Sequence, residues 1–398
     1  MGRAATRIAV VPADAGPAFA HFLDIPYWLH GGNPHWVPPL RMQQKEVLDR
    51  ARNPFFRHAR MRLFVAYRDG RPAGRIAAIN DDVHNRTHHE TTTQWGFFEC
   101  ADDGEIAAAL FAAIEAAATD WGHTLLRGPF NPSVNEEIGL QIDAFERPSF
   151  IMIPGNPPYY QRLVQAAGYT KSVDLFCYWI DSGMVSQRFT REAEAIIHRS
   201  GATYRKLDRT RLEAEADGIW EIYNSAWEDN WLWVRITREE FRRMVDNLKQ
   251  IADFDMVFVA EDASGKMVGV SVAVPNVNEA LIHLRDGRLL PLGWLQLLWR
   301  SRPGAIKGLR FLIMGVLAPW RGKGIDVALN YHQFLEATRK GYTHGEMSQI
   351  LETNTPMVHA AEALGGVRYK THRMYEKPVR KTGAAAGRGI EMGGSGAA

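Results

Sequence analysis

Arg321-Gly322-Lys323-Gly324-Ile325 decides how this chain is read. An apolar run, Phe311-Leu312-Ile313-Met314-Gly315-Val316-Leu317, precedes it, and a helix-like segment over 326–340 follows. Strand, basic glycine-containing loop and helix, in that order, build an anion site. Glycine lets the backbone approach a phosphate closely. The free N–H groups and the dipole at the helix start favour negative charge. Arg321 and Lys323 add fixed positive charge. A β-to-α turn carrying a surface Arg and Lys is the plainer reading of the same residues.

Outward from the loop, the chain repeats itself. Leu63-Phe64-Val65-Ala66, Asp69-Gly70 and Gly74-Arg75-Ile76-Ala77-Ala78 read as strand, turn and strand. Val257-Phe258-Val259-Ala260, Ser264-Gly265 and Gly269-Val270-Ser271-Val272-Ala273 read the same way, with Phe258 lying 194 positions after Phe64. Asn156-Pro157-Pro158 and Asn354-Thr355-Pro356 lie 198 positions apart, and each is followed by a glycine twelve residues after its Asn. Asn as a cap and Pro in the first turn predict a short helix at both places. Each half then gives one or two helices (18–50; 211–250), the hairpin, a strand (93–99; 310–317) and a helix (105–121; 326–340). Another strand, the short helix and a final strand (174–179; 372–376) complete it. The expected fold is α/β with mixed sheets, as two tandem domains over 1–182 and 183–380. A Gly/Ala-rich tail, 381–398, is expected to be disordered.

This order, with a basic glycine loop between a strand and a helix, resembles the GNAT superfamily of acyl-CoA-dependent N-acyltransferases. The likeness covers roughly residues 5 to 380. Arg321 and Gly324 match two anchors of the family loop; Asp326 stands at the third, where the family has Gly or Ala. The resemblance implies acyl-CoA as co-substrate, with no metal. Backbone groups of Val316, Leu317 and Ala318 would hold the pantetheine arm and acyl carbonyl. Arg321, Gly322, Lys323, Gly324 and Ile325 would hold the pyrophosphate, and Asn354 matches the family Asn near the pantetheine. The family often has a Tyr seven residues after that Asn, where this chain has Ala361. Tyr331, Tyr369 and Tyr375 are the available substitutes, and Tyr375 is carried forward as a catalytic candidate. The matching stretch of the first half is Cys100-Ala101-Asp102-Asp103-Gly104-Glu105, whose acids would repel a pyrophosphate. Only the second half is therefore expected to bind CoA, with the first half shaping the acceptor site.

Acyl transfer to an amine needs a group that takes a proton. Glu346 alternates in phase with His344 and Ser348, so the three would share one face of a strand. Glu346 and Ser348 are the candidates, with a surface ion pair as the other reading of Glu346; Glu352 lies further along, and His332 reads as packing. The stretch Arg127-Gly128-Pro129-Phe130-Asn131-Pro132-Ser133-Val134-Asn135-Glu136-Glu137 is dense in turn formers and polar groups. Pro154-Gly155-Asn156-Pro157-Pro158-Tyr159-Tyr160 follows it, and Asn135, Glu136 and Tyr159 are the candidate acceptor contacts of the two; a brace between the repeats reads equally well.

Leu289-Leu290-Pro291-Leu292-Gly293-Trp294-Leu295-Gln296-Leu297-Leu298-Trp299-Arg300 is apolar nearly all round and too short to cross a bilayer. Arg285, Arg288, Arg300, Arg302 and Lys307 flank it. Two readings stand open: a helix at a membrane surface, with Trp294 and Trp299 meeting a lipid substrate, and a helix buried between the repeats.

Bulk composition narrows the rest. The 398 residues are 46% hydrophobic and 23% charged, with a net charge of +2, which does not mark a nucleic-acid binder. Two cysteines, Cys100 and Cys177, cannot make a disulfide framework, so a cytoplasmic protein is expected, and the membrane-surface reading of 289–300 places it peripherally at the inner membrane face. Met1-Gly2 with Thr6 fits a short myristoylation pattern. The whole pattern is similar to bacterial ceramide synthases, which implies transfer of a long-chain acyl group from CoA to a sphingoid base. The alternatives are acetylation of a small soluble amine and CoA binding without turnover. Acceptor, chain length and oligomeric state are not legible, nor is any exchange of strands between the halves.

Overall fold

The computed structural model describes residues 7–379 except 182, 184–186 and 229. The myristoylation pattern and the Gly/Ala-rich tail lie outside the described residues. The strands are β1 (Ile8–Pro12), β2 (Ala59–Arg68), β3 (Arg71–Asp81), β4 (Thr92–Cys100), β5 (Leu125–Gly128), the short β6 (Phe130–Asn131), β7 (Glu137–Ile138) and β8 (Leu140–Gln141), then β9 (Thr170–Asp181), β10 (Thr203–Lys206), β11 (Val257–Glu261), β12 (Met267–Pro275), β13 (Gly308–Val316), β14 (His344–Leu351) and β15 (Val367–Pro378).

One continuous sheet runs β1-β2-β3-β4-β5-β15-β9-β14-β13-β12-β11-β10. The order reads alike from both edges, and the two middle strands are traded. β15, from the end of the chain, lies against β5 with Tyr375 opposite Gly128. β9, from the first half, lies against β14 with His344 opposite Asp181. β9 and β15 pair with each other over most of their lengths. Backbone ladders therefore bind the halves together, and neither keeps its own last strand.

Among the described residues each half contains one parallel pair, and each pair parts along its length. β4 and β5 run together only from Thr92–Leu125 to Gln94–Arg127. β13 and β14 run together from Gly308–His344 to Phe311–Met347 and then separate.

The helices are α1 (Gly16–His30), α2 (Arg41–Leu48), α3 (Asp82–His88), α4 (Gly104–Trp121), α5 (Tyr159–Ala166), α6 (Gln187–Arg199), α7 (Leu212–Ala226), α8 (Arg238–Leu248), α9 (Asn278–Leu281), α10 (Gly293–Arg300), α11 (Ile325–Lys340) and α12 (Thr355–Ala363). Strand alternation gives each sheet face its own helices. Leu63, Val65, Ala77 and Ile79 pack under α1, while Ala66, Ile76 and Ala78 pack under α4. In the second half Val257, Val259, Val270 and Val272 pack under α7 and α8, and Phe258, Ala260 and Val268 under α11. Caps fix the helix starts: Thr237 and Glu240 form a capping box on α8. Asn354 caps α12 as its sequence suggests, accepting from the Met357 N–H at 3.2 Å. Asn156 does not cap α5. Its amide instead brackets Gln141, accepting from its N–H at 2.7 Å and donating to its carbonyl at 3.1 Å.

Each half sends an insertion across the other. Residues 129–157 of the first half and 276–307 of the second meet on the face carrying α2 and α8. His58 pins that face: Nδ1 lies 3.0 Å from Asp81 and Nε2 3.1 Å from Glu240. Burial works against its charged form, but hydrogen bonds to Asp81 and Glu240 outweigh it and raise the imidazole from 6.5 to about 9. The stabilisation is thus complete below about 6.5 and lost as pH rises through about 9. Melting temperature should fall over that window in the parent, and His58→Gln should flatten the fall; a parent-like slope in the variant would contradict the pin.

Candidate active site

β13 delivers the chain to the anion loop. Ile325, 1% exposed, packs at the start of α11 against β12. Gly322 and Gly324 adopt φ of +74° and +79°, which a side chain resists, and no side chain caps α11. Its first-turn N–H groups are therefore free for a ligand. Arg321 is exposed and spans from the Val316 carbonyl at 3.3 Å to those of Ser225 and Ala226 at the end of α7. Lys323 lies 4.1 Å over the Trp320 ring. Asp326 stands on the Tyr204 side, where it adds to the rise that burial imposes on that phenol. Asn354 also donates to Asn230 at 3.3 Å. Arg321, Gly322 and Lys323 are exposed, while Val316, Leu317 and Asn354 are half-buried.

The equivalent place in the first half is filled. Asp103 caps α4, accepting from the Glu105 and Ile106 N–H groups, and pairs with Arg68. Asp102 pairs with Arg162. Where β4 and β5 part, β6 fills the gap: a Cβ on Gly96 of β4 would stand 1.6 Å from the carbonyl oxygen of Phe130 in β6. Tyr160 accepts from the Cys100 N–H at 2.9 Å, and Tyr159 donates to the Cys100 carbonyl at 2.8 Å. Tyr159 thus plugs the first half rather than facing an acceptor.

A cavity of about 760 Å³ lies between the insertions, walled by residues from both halves. Asn135 and Glu136 line it, as does Glu137, beside them in the sequence and not singled out there. Asn135 is held by the Tyr223 hydroxyl at 2.9 Å and by the Val234 carbonyl. Glu136 sits deep in the fold with part of its surface on the cavity. Burial raises it to about 8, with Arg243 pulling down and Glu137 and Glu240 pushing up. Burial also raises Glu137, opposed by Arg310 and by a hydrogen bond from Asn131. Arg310 stands one residue before the point where β13 and β14 part.

The far end of the cavity carries His30, Glu99, Arg75 and Tyr160. His30 Nε2 lies 2.6 Å from Glu99, and the Tyr160 hydroxyl donates to Glu99 at 2.7 Å. Burial raises Glu99, but His30 and Arg75 outweigh it and hold it low. The run of residues gives no sign of this cluster, whose members come from four elements. β4 and β13 are five strand spacings apart, about 24 Å at ~4.8 Å each. This cluster therefore lies well away from the parted edge of β13, none of whose residues lines the cavity.

Glu346 lies beneath the cavity floor, not in its wall, and is fully buried. Ser348 donates to it at 2.6 Å, and the Tyr369 hydroxyl donates to its other oxygen. Arg310 bonds Ser348 and the Ile151 and Met152 carbonyls, while Lys370 bonds the Arg147 and Pro148 carbonyls. Glu346 balances these two buried cations, and together they hold 147–152 over the sheet. His344 leaves the group, stacking on Trp179 at 4.4 Å. Glu352 bonds Lys171 and the Asp174 N–H, and His332 stacks on Phe258. Tyr375 is corrected: it is buried in the first-half core among Trp95 and Phe111, and the hydroxyl reaching Glu346 is that of Tyr369. Removing one member of such a set leaves buried charge without compensation. Glu346→Gln should cost about 3–5 kcal/mol in denaturant unfolding; a lowered kcat with parent stability would instead make Glu346 a reacting group.

The apolar insertion is not buried. Leu290, Leu292, Leu295 and Leu298 are exposed, as are Trp294 (44%) and Trp299 (62%). Neither tryptophan lines the cavity; Leu289, Leu297 and Leu298 do. Among the described residues no helix is long and apolar enough to cross a membrane. Among them, too, no cluster of His, Cys, Asp or Glu is placed to hold a metal ion.

No family model matches the chain. It is 36% identical over 378 residues to the bacterial ceramide synthase of Caulobacter vibrioides, covering 94% of this chain and 98% of that one. Protein YghO of Escherichia coli is 34% identical over 365 residues, covering 90% and 92%. Among solved structures, a tandem GNAT protein from the clavulanic acid biosynthesis pathway superposes with a TM-score of 0.56 at 14% identity, over 94% of this chain and 99% of that one. A GCN5-related N-acetyltransferase from Sphaerobacter thermophilus gives 0.50 at 15% identity, over 93% and 96%. With an open anion loop in one half and a plugged one in the other, this chain belongs to the bacterial ceramide synthase family, N-acyltransferases on a tandem GNAT fold.

Proposed function

We propose that the chain transfers an acyl group from acyl-CoA to a lipidic primary amine, a long-chain acyl group to a sphingoid base being the sharpest form. Its two units, read as 1–182 and 183–380, divide the work. The second half takes CoA: Arg321, Lys323 and the free N–H groups of α11 meet the pyrophosphate, and Val316, Leu317, Ala318 and Asn354 meet the pantetheine. The observation that carries this is the contrast between the halves, one helix start left uncapped beside two cations and the other closed by Asp103.

The acceptor occupies the cavity. Its ammonium lies at Asn135, Glu136 and Glu137, and its chain runs along Met244, Leu248, Leu281 and Leu297 towards α10. Glu136 takes the ammonium proton. The neutral nitrogen attacks the thioester carbon and the C–N bond forms; as the C–S bond breaks, the second proton shed by the nitrogen passes through water to the leaving thiolate, and Glu136 returns its own proton to solvent. Contact of 289–300 with a membrane surface belongs to the same reading. Acetylation of a small soluble amine would need no such apolar wall. Purified chain with each of several amines, on palmitoyl-CoA and on acetyl-CoA, tests the choice through thiol release. Faster release with palmitoyl-CoA and a long-chain amine is expected; a preference for acetyl-CoA and a soluble amine overturns the lipid form.

A further inference from the structure

The cavity has a mouth, and the mouth is greasy on both sides. Leu298 of the second half is 60% exposed and also lines the cavity. Met42 of the first half is 49% exposed and also lines it. Around Leu298 stand Leu290, Leu292, Trp294, Leu295 and Trp299, six of the ten exposed large hydrophobics among the described residues when Leu298 is counted. A contiguous exposed patch of this kind marks a surface meant to be covered.

The two lips are held at a fixed spacing. Arg285 spans from the second-half insertion to the carbonyls of Gly31, Asn33 and Trp36 in the first half. Arg41, next to Met42, bonds the Gly287 carbonyl through its N–H and the Asp286 carbonyl through Nε. The mouth is therefore built into the fold rather than left by a loose loop.

Charge identifies what covers it. Arg288, Arg300 and Arg302 border the apolar residues, and Arg300 and Arg302 lie 5.7 and 4.5 Å from the Trp299 ring. Asp286 is the one carboxylate in 284–302, and its oxygen is taken by the Arg288 N–H. Exposed leucines and tryptophans rimmed by arginines fit the interfacial zone of an anionic bilayer. A protein partner of matching acidity would have to supply both the charge and the apolar filling.

We infer that the cavity mouth between Met42 and Leu298 seats on an anionic lipid leaflet, and that the acceptor enters directly from that leaflet without crossing water. This rests on the lipid-acceptor reading above and adds the route. A long-chain amine is barely soluble, and a mouth sealed on the bilayer spares its chain exposure to water.

Co-sedimentation of the full chain with phosphatidylcholine vesicles, with and without phosphatidylglycerol, tests the seat. Binding should need the anionic lipid. Arg288→Gln with Arg302→Gln should weaken it about 25-fold, at ~1 kcal/mol per charge near the surface. Leu292→Ser with Trp299→Ser, both on exposed side chains, should keep the parent melting temperature and lose vesicle binding. Turnover then tests the route: this second variant should slow on a vesicle-borne long-chain amine at least tenfold more than on a water-soluble short-chain amine. Parent-like vesicle binding by both variants overturns the seat. A dimer that the variants abolish, with no vesicle binding, assigns the patch to a second copy of the chain and also overturns it. Equal slowing on both amines overturns the route. Absence of thiol release from acyl-CoA with either amine strikes the acyltransfer reading instead, and does so whatever the vesicles show.

Discussion

Arg321→Glu with Lys323→Glu is expected to weaken acyl-CoA binding by roughly 100-fold or more. Two charge-assisted contacts to a pyrophosphate contribute about 1.5–3 kcal/mol each, and each 1.4 kcal/mol is about tenfold in Kd. The reversed charges add repulsion at the helix start. Both side chains are exposed, so the fold should survive. Gly324→Glu would be a poorer probe. Gly324 sits at φ +79° with Ile196 only 2.7 Å from the place of a Cβ, so lost binding would mix with strain. Asp103→Asn at the first-half helix start is the matching control and should leave CoA affinity as it was. Titration calorimetry reads both. Parent affinity in the double variant, or a loss on changing Asp103, would move the CoA site away from the second-half loop.

Glu136→Gln should lower kcat about 100-fold, the lower range of what a positioned base contributes. The sign of the pH effect follows from its raised pKa of about 8. The carboxylate that accepts the proton is present above that value, so kcat should rise with pH through about 8 in the parent and level off beyond it. Gln cannot titrate, and the limb should vanish. Single-turnover rates across pH separate this from the amine's own ionisation, which belongs to both proteins. A limb that persists in the variant, with kcat within a fewfold of the parent, would assign the proton to another group, with Glu137 next in line.

How much of this was legible in the sequence depends on how local each feature is. The run from Phe311 to Ile325 is local: apolar strand, two glycines and a helix start lie side by side, and the structure keeps them so. The repeat was legible for the same reason, since each hairpin carries its own turn. The exchange of β9 and β15 was not. A buried strand alternates apolar residues whichever neighbour it pairs with, so Val173, Leu175 and Cys177 do not name their partner. The choice among tyrosines failed for a related reason. Tyr369 and Tyr375 are six apart and would share a face of a regular strand. β15 instead shifts register between Arg368 and Lys370 and again between Met374 and Tyr375. Tyr369 is left at Glu346 while Tyr375 enters the first-half core. The insertion could not be settled by pattern, because an all-round apolar helix suits a core and a membrane surface alike. Exposure of Trp299 and Leu298 removed the buried reading.

N-acyl transfer to a lipidic amine is tested most directly by one reaction. Purified chain with palmitoyl-CoA and a sphingoid base should release free thiol and form the N-acyl product mole for mole, and the Arg321→Glu, Lys323→Glu variant should do neither. Thiol release with no amide, or no release from any acyl-CoA with any amine, would contradict it.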